Sequence, residues 1–123
     1  MFGKGIYRWS DGRRYEGSYI NDKKHGFGIY KWVDGRCYWG NWRNGVQDGE
    51  GMIVLPNFQM KKSTWKEGQE INSTQEIPYD LKDKVIREIK EMIAEEEQEK
   101  RDAARKANKL KKVKNPKITN AAD

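Results

Sequence analysis

The sequence predicts a mainly β repeat protein: a single-layer antiparallel sheet of three tandem β-hairpins, followed by a long C-terminal α-helix. Three observations carry this. Gly3-Lys4-Gly5-Ile6-Tyr7-Arg8-Trp9 recurs as Gly26-Phe27-Gly28-Ile29-Tyr30-Lys31-Trp32 and, at the same interval again but eroded, as Gly49-Glu50-Gly51-Met52-Ile53-Val54-Leu55. A fixed short period of this kind marks stacked structural repeats. All twelve glycines lie between Gly3 and Gly68, and all five tryptophans between Trp9 and Trp65. Beyond Gly68 there is neither, and Leu81, Val85, Ile89 and Ile93 recur at helical spacing.

Each copy reads as one hairpin. Aromatic-rich stretches flank Asp11-Gly12 and Asp34-Gly35, turn dipeptides that tolerate positive φ, replaced by Asn57-Phe58 in the third copy. A five-residue loop from Ser10 to Arg14 would pair Trp9 with Tyr15, Tyr7 with Gly17 and Gly5 with Tyr19. The second copy would likewise pair Trp32 with Tyr38, Tyr30 with Gly40 and Gly28 with Trp42. Each glycine then faces an aromatic ring able to lie over its bare backbone. Side chains alternate with period two, so one face collects Tyr7, Trp9, Tyr15, Tyr19, Tyr30, Trp32, Tyr38, Trp42 and Trp65. The other face, with Ile6, Arg8, Arg14, Glu16, Ile29, Cys37 and Trp39, reads as mostly wet. About six strands are expected, with two open edges that invite pairing.

The organisation expected is a hairpin array over 1–68, a linker over 69–79, a charged amphipathic helix over 80–114 and an extended or disordered tail over 115–123. Asp80 is the expected N-cap. Charge is segregated along the helix: residues 76–99 hold nine acids and four bases, residues 100–117 nine bases and one acid. The basic stretch includes Lys100, Arg101, Arg105, Lys106, Lys109, Lys111 and Lys112. Glu96 with Lys100 and Glu97 with Arg101 stand at i,i+4, which supports an exposed helix. The apolar stripe either folds back onto the chain's own aromatic sheet or docks on another protein.

Composition narrows the function. Hydrophobic residues make up 35% of the chain and charged residues 36%, so only a small core can form. No apolar run approaches the roughly 20 residues of a membrane span, and no signal-peptide-like stretch opens the sequence. A single cysteine, Cys37, cannot form an internal disulfide and fits a reducing compartment. One histidine, His25, and one cysteine make no zinc site of usual ligand count. Gly3-x-Gly5 and Gly26-x-Gly28 lack the rest of a nucleotide-binding loop. No paired carboxylates stand out, so neither catalysis nor a cofactor or metal is expected.

The pattern Gly-x-Gly-x-Tyr-x-Trp-x-Asp-Gly-x-x-Tyr-x-Gly-x-Trp resembles the MORN repeat family. Gly26 to Trp42 matches it in full, and Gly3 to Tyr19 with Tyr19 as the last aromatic. The third copy, Gly49 to Gly68, keeps its glycines and Trp65 and reads as an end cap. The resemblance implies non-catalytic modules that bind proteins or membranes, often in cytoskeletal, ciliary or junctional assemblies, with a grooved face that receives a helix or peptide.

The expected function is therefore that of a structural adaptor in the cytoplasm, within a cytoskeletal or ciliary assembly. Its partner-binding residues would be the aromatic face, the helix residues Leu81, Val85, Ile89 and Ile93, and Trp39, whose parity sends it to the opposite face. Tryptophan is enriched among binding anchors. The alternative is a peripheral tether, with the basic tail on anionic lipid or an acidic protein surface. Nucleic acid is not expected, because the rings are engaged with glycines and no RNA-binding signature is present.

Overall fold

A computed structural model describes the backbone of residues 2–121 and the side chains of residues 2–109. Seven strands form one sheet in strict sequence order, every neighbour antiparallel: β1 (Phe2–Arg8), β2 (Arg14–Ile20), β3 (Lys23–Lys31), β4 (Cys37–Arg43), β5 (Val46–Val54), β6 (Met60–Lys66) and β7 (Gln69–Thr74). A single helix, α1, follows over Tyr79–Ala121. The fold class is the expected one, with one strand more than the count predicted: residues 69–74, expected as linker, are β7. Their polar alternation carries no apolar face, and all six residues are exposed. Only the antiparallel ladder with β6 makes them a strand.

Two kinds of turn alternate. Between β1 and β2, the Trp9 amide donates to the Arg13 carbonyl (3.0 Å) and the Gly12 amide to the Trp9 carbonyl (3.1 Å). Gly12 takes φ +105°, so this is a three-residue loop closed by a left-handed residue. Trp32–Arg36 and Leu55–Gln59 repeat the same bonds. An Asx side chain helps each time: Asp11, Asp34 and Asn57 accept from the amides of Arg13, Arg36 and Gln59. The third copy thus keeps the geometry despite losing Asp-Gly, with Phe58 holding φ +68° in place of glycine. The other turns are Asn21-Asp22, Asn44-Gly45 and Glu67-Gly68, all at positive φ, as two-residue hairpin turns require.

The shorter loop corrects the expected register. Tyr7 pairs with Tyr15, Gly5 with Gly17 and Gly3 with Tyr19. In the next copy Tyr30 pairs with Tyr38, Gly28 with Gly40 and Gly26 with Trp42. The displacement is two residues, so every side chain keeps its face.

The rings still cover glycine backbone, by a different route. Gly17 pairs with Gly28 and Gly40 with Gly51, each across the junction between hairpins. The Tyr15 ring lies over the first pair and Tyr38 over the second. A Cβ at Gly28 or Gly51 would collide with the tyrosine ring.

The opposite face is not wet. Arg14, Cys37, Met52 and Val54 are each about 1% exposed and Ile29 6%. The first turns of α1 supply the cover, with Val85 at 0% and Ile89 at 1%. The Trp39 indole N–H donates to Glu88 Oε1 at 2.8 Å, and Lys84 Nζ lies 5.9 Å from the Trp39 ring centroid. Of the two alternatives for the apolar stripe, fold-back or docking on another protein, the stripe folds back, but on the face away from the aromatic stack. Burying about half a dozen apolar side chains there, at about 1.5–3 kcal/mol each, outweighs leaving them in water.

The chain divides into two units, residues 1–89 and 90–123, with α1 running from one into the other. The helix starts at Tyr79, the Lys82 amide donating to the Pro78 carbonyl at 3.0 Å, while the Asp80 carboxylate accepts from the Leu81 amide. At its other end the helix continues to Ala121, past the boundary expected near residue 114 and into the segment expected to be extended or disordered, whose last two positions lie outside the described residues. In the second unit Gln98 donates to Asp102 at 2.9 Å and Arg101 to Gln98 at 2.7 Å, pairs at i,i+4 and i,i+3.

The glycine junctions set a sharp expectation for stability. A Cβ on Gly17 would lie 2.6 Å from the Phe27 carbonyl oxygen, which is backbone and cannot rotate away. Gly17→Ala should cost more than about 3 kcal/mol in thermal or denaturant unfolding. Gly45→Ala, which meets nothing within 4 Å but holds φ +91°, should cost about 1 kcal/mol. Equal costs for the two would refute close packing at the junction.

Candidate functional site

Side chains of like parity on successive strands build one continuous aromatic layer. Tyr15, Tyr30, Tyr38 and Trp42 are its buried centre, with Tyr7, Trp9, Trp32, Ile53 and Trp65 packed around them. The rings meet mostly edge to face: Tyr15 on Trp42 at 5.7 Å and 87°, Tyr38 on Trp65 at 5.6 Å and 88°, Tyr30 on Trp32 at 4.9 Å and 77°. Such pairs add about 0.5–1.5 kcal/mol each beyond the area they bury.

Three buried polar tips are matched. The Tyr15 hydroxyl donates to the Ser18 carbonyl (2.6 Å), the Tyr38 hydroxyl to the Asn41 carbonyl (2.9 Å), and the Trp42 indole N–H to the Gly28 carbonyl (3.2 Å). Ser18 and Asn41 sit where the ladder is irregular, between Gly17 and Tyr19 and between Gly40 and Trp42, which aims their carbonyls at the phenols.

Tyr15 and Tyr38 are wholly buried and hold the sheet together; they offer nothing to a partner. Tyr7, Trp9, Tyr19, Trp32 and Trp65 keep part of their surface in solvent. They form the accessible rim of the layer, which no element of residues 1–89 covers. Cations already lie on it. Arg13 stacks over Trp9 and Arg36 over Trp32, both at 5.0 Å, each steered by its turn aspartate. The Lys24 ammonium stands 5.2–5.6 Å from the centroids of Trp42, Tyr30, Trp9 and Tyr15. Desolvation, and secondly the charge of Arg13, push the Lys24 amine below its ordinary range. Sequence reasoning missed Lys24; its parity with Gly26 and Gly28 on the aromatic face was the available signal.

The other expected contact residues are distributed differently. Trp39 is half-buried, bonded to Glu88 and edge-on to Phe27 at 4.8 Å. Val85 and Ile89 are buried and Leu81 and Ile93 partly so, so the stripe is not an open docking surface. Lys100, Arg101, Arg105, Lys106 and Lys109 are exposed, while Lys111 and Lys112 lie outside the described side chains. His25 is partly buried, its Nδ1 accepting from the Asn44 amide at 3.3 Å. Among the described residues no group of His, Cys, Asp and Glu is placed to hold a metal ion. No helix of the described residues is long and apolar enough to cross a membrane.

A sheet of serial hairpins with one ring-lined face and no gathered metal-ligating groups among the described residues defines a repeat-type binding module. The MORN repeat family matches residues 1–13, 15–35 and 38–60, so these three segments are MORN repeats. Two of the matched segments begin at Tyr15 and Tyr38, the tyrosines that cover the glycine junctions. No curated protein compared with the chain matches it. MORN repeats are non-enzymatic modules that bind proteins or membranes.

The buried phenols predict an alkaline transition. Burial chiefly, aided by the charge of Tyr7 for Tyr15 and of Asp48 for Tyr38, pushes both far above the ordinary tyrosine range. The unfolded chain ionises its phenols near about 10. The contribution to stability is thus complete below that pH and falls as pH rises above it. Phenolate absorbance should show a late step coinciding with loss of near-ultraviolet circular dichroism. Ionisation of all six tyrosines in one wave, with the fold intact, would contradict the burial.

Proposed function

We propose that the protein is a non-catalytic adaptor that binds other proteins through the open aromatic face of its MORN sheet. One observation carries this reading: the helix closes the opposite face, while the partly exposed Trp9, Trp32 and Trp65 remain uncovered within residues 1–89. Aromatic residues in a grooved surface are the usual anchors for a helical or extended peptide. By the company such repeats commonly keep, the assembly it serves is cytoplasmic, at the cytoskeleton or a cilium.

Affinity capture with the full chain as bait should recover a defined protein set. Trp32→Ala and Trp65→Ala together should cut that recovery at least tenfold while the fold is retained, whereas Trp39→Phe should not. Undiminished recovery by the double variant would exclude the aromatic face.

A second reading is favoured by the exposed bases of the second unit, Lys100, Arg101, Arg105, Lys106 and Lys109. Each would contribute about 1 kcal/mol on an anionic membrane surface. Salt-sensitive co-sedimentation with anionic vesicles would support a tether instead of an adaptor; absence of binding would remove it.

A further inference from the structure

The two copies of the ring layer share one frame and differ where Ile53 replaces Tyr30 and where Gln47-Asp48 replaces Lys24-His25. Moving along the chain by one repeat carries Trp9, Tyr15, Tyr30 and Trp42 onto Trp32, Tyr38, Ile53 and Trp65. The backbone superposes in its bonding: the Gly45 amide donates to the Lys24 carbonyl and the Gly68 amide to the Gln47 carbonyl, both at 2.8 Å. The key ring pairs nearly coincide, Tyr15–Trp42 at 5.7 Å and 87° against Tyr38–Trp65 at 5.6 Å and 88°. In the first copy these rings surround the Lys24 ammonium. In the second the equivalent residue is Gln47, which is neutral and one atom shorter.

We propose that the second ring set, where the partly exposed Trp32 and Trp65 flank the buried Tyr38 beside Gln47 and Asp48, is a binding site for a lysine or arginine side chain of a partner polypeptide, held by the two indoles. The first copy demonstrates what such rings accept, because it holds a primary ammonium over four of them, and three of the four recur in the second copy. A cation over aromatic faces gains about 0.5–2 kcal/mol, more as it is desolvated.

Two further differences point the same way. His25 of the first copy becomes Asp48, so the pair Lys24-His25 is replaced by Gln47-Asp48 and the local charge changes from positive to negative. Asp48 retains the structural duty of His25, its carboxylate accepting from the Glu67 amide at 3.1 Å as His25 accepts from Asn44. Its charge reaches the rings, since it helps hold the Tyr38 phenol neutral. The indoles also differ. Trp42 donates to the Gly28 carbonyl, but the Trp65 Nε1 is buried with no hydrogen-bond partner among the described residues. A buried unmet donor is uncommon in a finished structure.

This inference rests on the aromatic face being the binding face, and its test separates the two. Indole Nε1–H resonances of the full chain are followed while N-acetyl-lysine N-methylamide, or its arginine counterpart, is added, with sodium chloride at equal ionic strength as baseline. Trp32 and Trp65 should shift, and Trp9 and Trp42 should not. Gln47→Lys should abolish the Trp65 response, and Lys24→Gln should create one at Trp9 and Trp42. Asp48→Asn keeps an acceptor for the Glu67 amide and should move the midpoint to about threefold higher concentration. It serves as the second variant if Gln47→Lys loses its dispersed spectrum. A Trp65 signal that ignores both probes, that responds equally in Gln47→Lys, or that keeps its midpoint in Asp48→Asn would overturn the proposal. Failure of affinity capture would sink the adaptor reading while leaving this cation response in place.

Discussion

Everything in this sheet depends on a tyrosine ring laid flat over two glycines that face each other across a hairpin junction. Tyr15 covers Gly17 and Gly28; Tyr38 covers Gly40 and Gly51. A Cβ at any of these four glycines would meet backbone or ring, so the strands approach as they do only because the side chains are missing. The phenol then reaches past the glycines to a carbonyl displaced by the ladder irregularity. One contact thus joins hairpin to hairpin, seats the ring and satisfies its hydroxyl. Because it recurs once per repeat, the sheet grows by addition, each copy resting on its neighbour.

A single sheet has two faces and cannot bury both by itself. The aromatic face is self-sufficient at its centre, because the rings pack on glycine backbone and on each other. The other face carries Cys37, Met52 and Val54, short or flexible apolar groups that lie buried, and it requires a cover. The apolar stripe of α1 meets that need, and the Trp39–Glu88 bond fixes where the helix lies. The tryptophan that breaks the pattern of its neighbours is accordingly committed to the chain's own architecture. That leaves the rim of the ring layer uncovered within residues 1–89.

Repetition with small departures is how such a sheet acquires different sites from one geometry. The turns at Trp9–Arg13, Trp32–Arg36 and Leu55–Gln59 make the same bonds, though the third replaces Asp-Gly with Asn57-Phe58. Backbone demands are met by any residue that supplies the Asx oxygen and tolerates a left-handed φ. The side chains on the layer are free to vary, and the exchange of Lys24-His25 for Gln47-Asp48 alters the charge of one position without altering its frame.

The repeat, the alternation of faces and the helical stripe were legible because each is a local periodicity: the constant interval between copies, the alternation of the pleat and the helical turn. Those periods by themselves determined a serial-hairpin sheet, a face of rings and glycines, and a helix after Gly68. Register was not legible, since a three-residue loop and a five-residue loop keep the same parity, and only the left-handed Gly12 with its hydrogen bond to Trp9 selects between them. The seventh strand was hidden because Gln69–Thr74 has no apolar face, and a ladder partner is a long-range fact. Likewise the roles of Trp39, Lys24 and the helix stripe were decided only by tertiary structure. Which face a helix covers, and which rings a lysine meets, depends on the free energy of burying surfaces that are distant in sequence, and no local pattern records that sum.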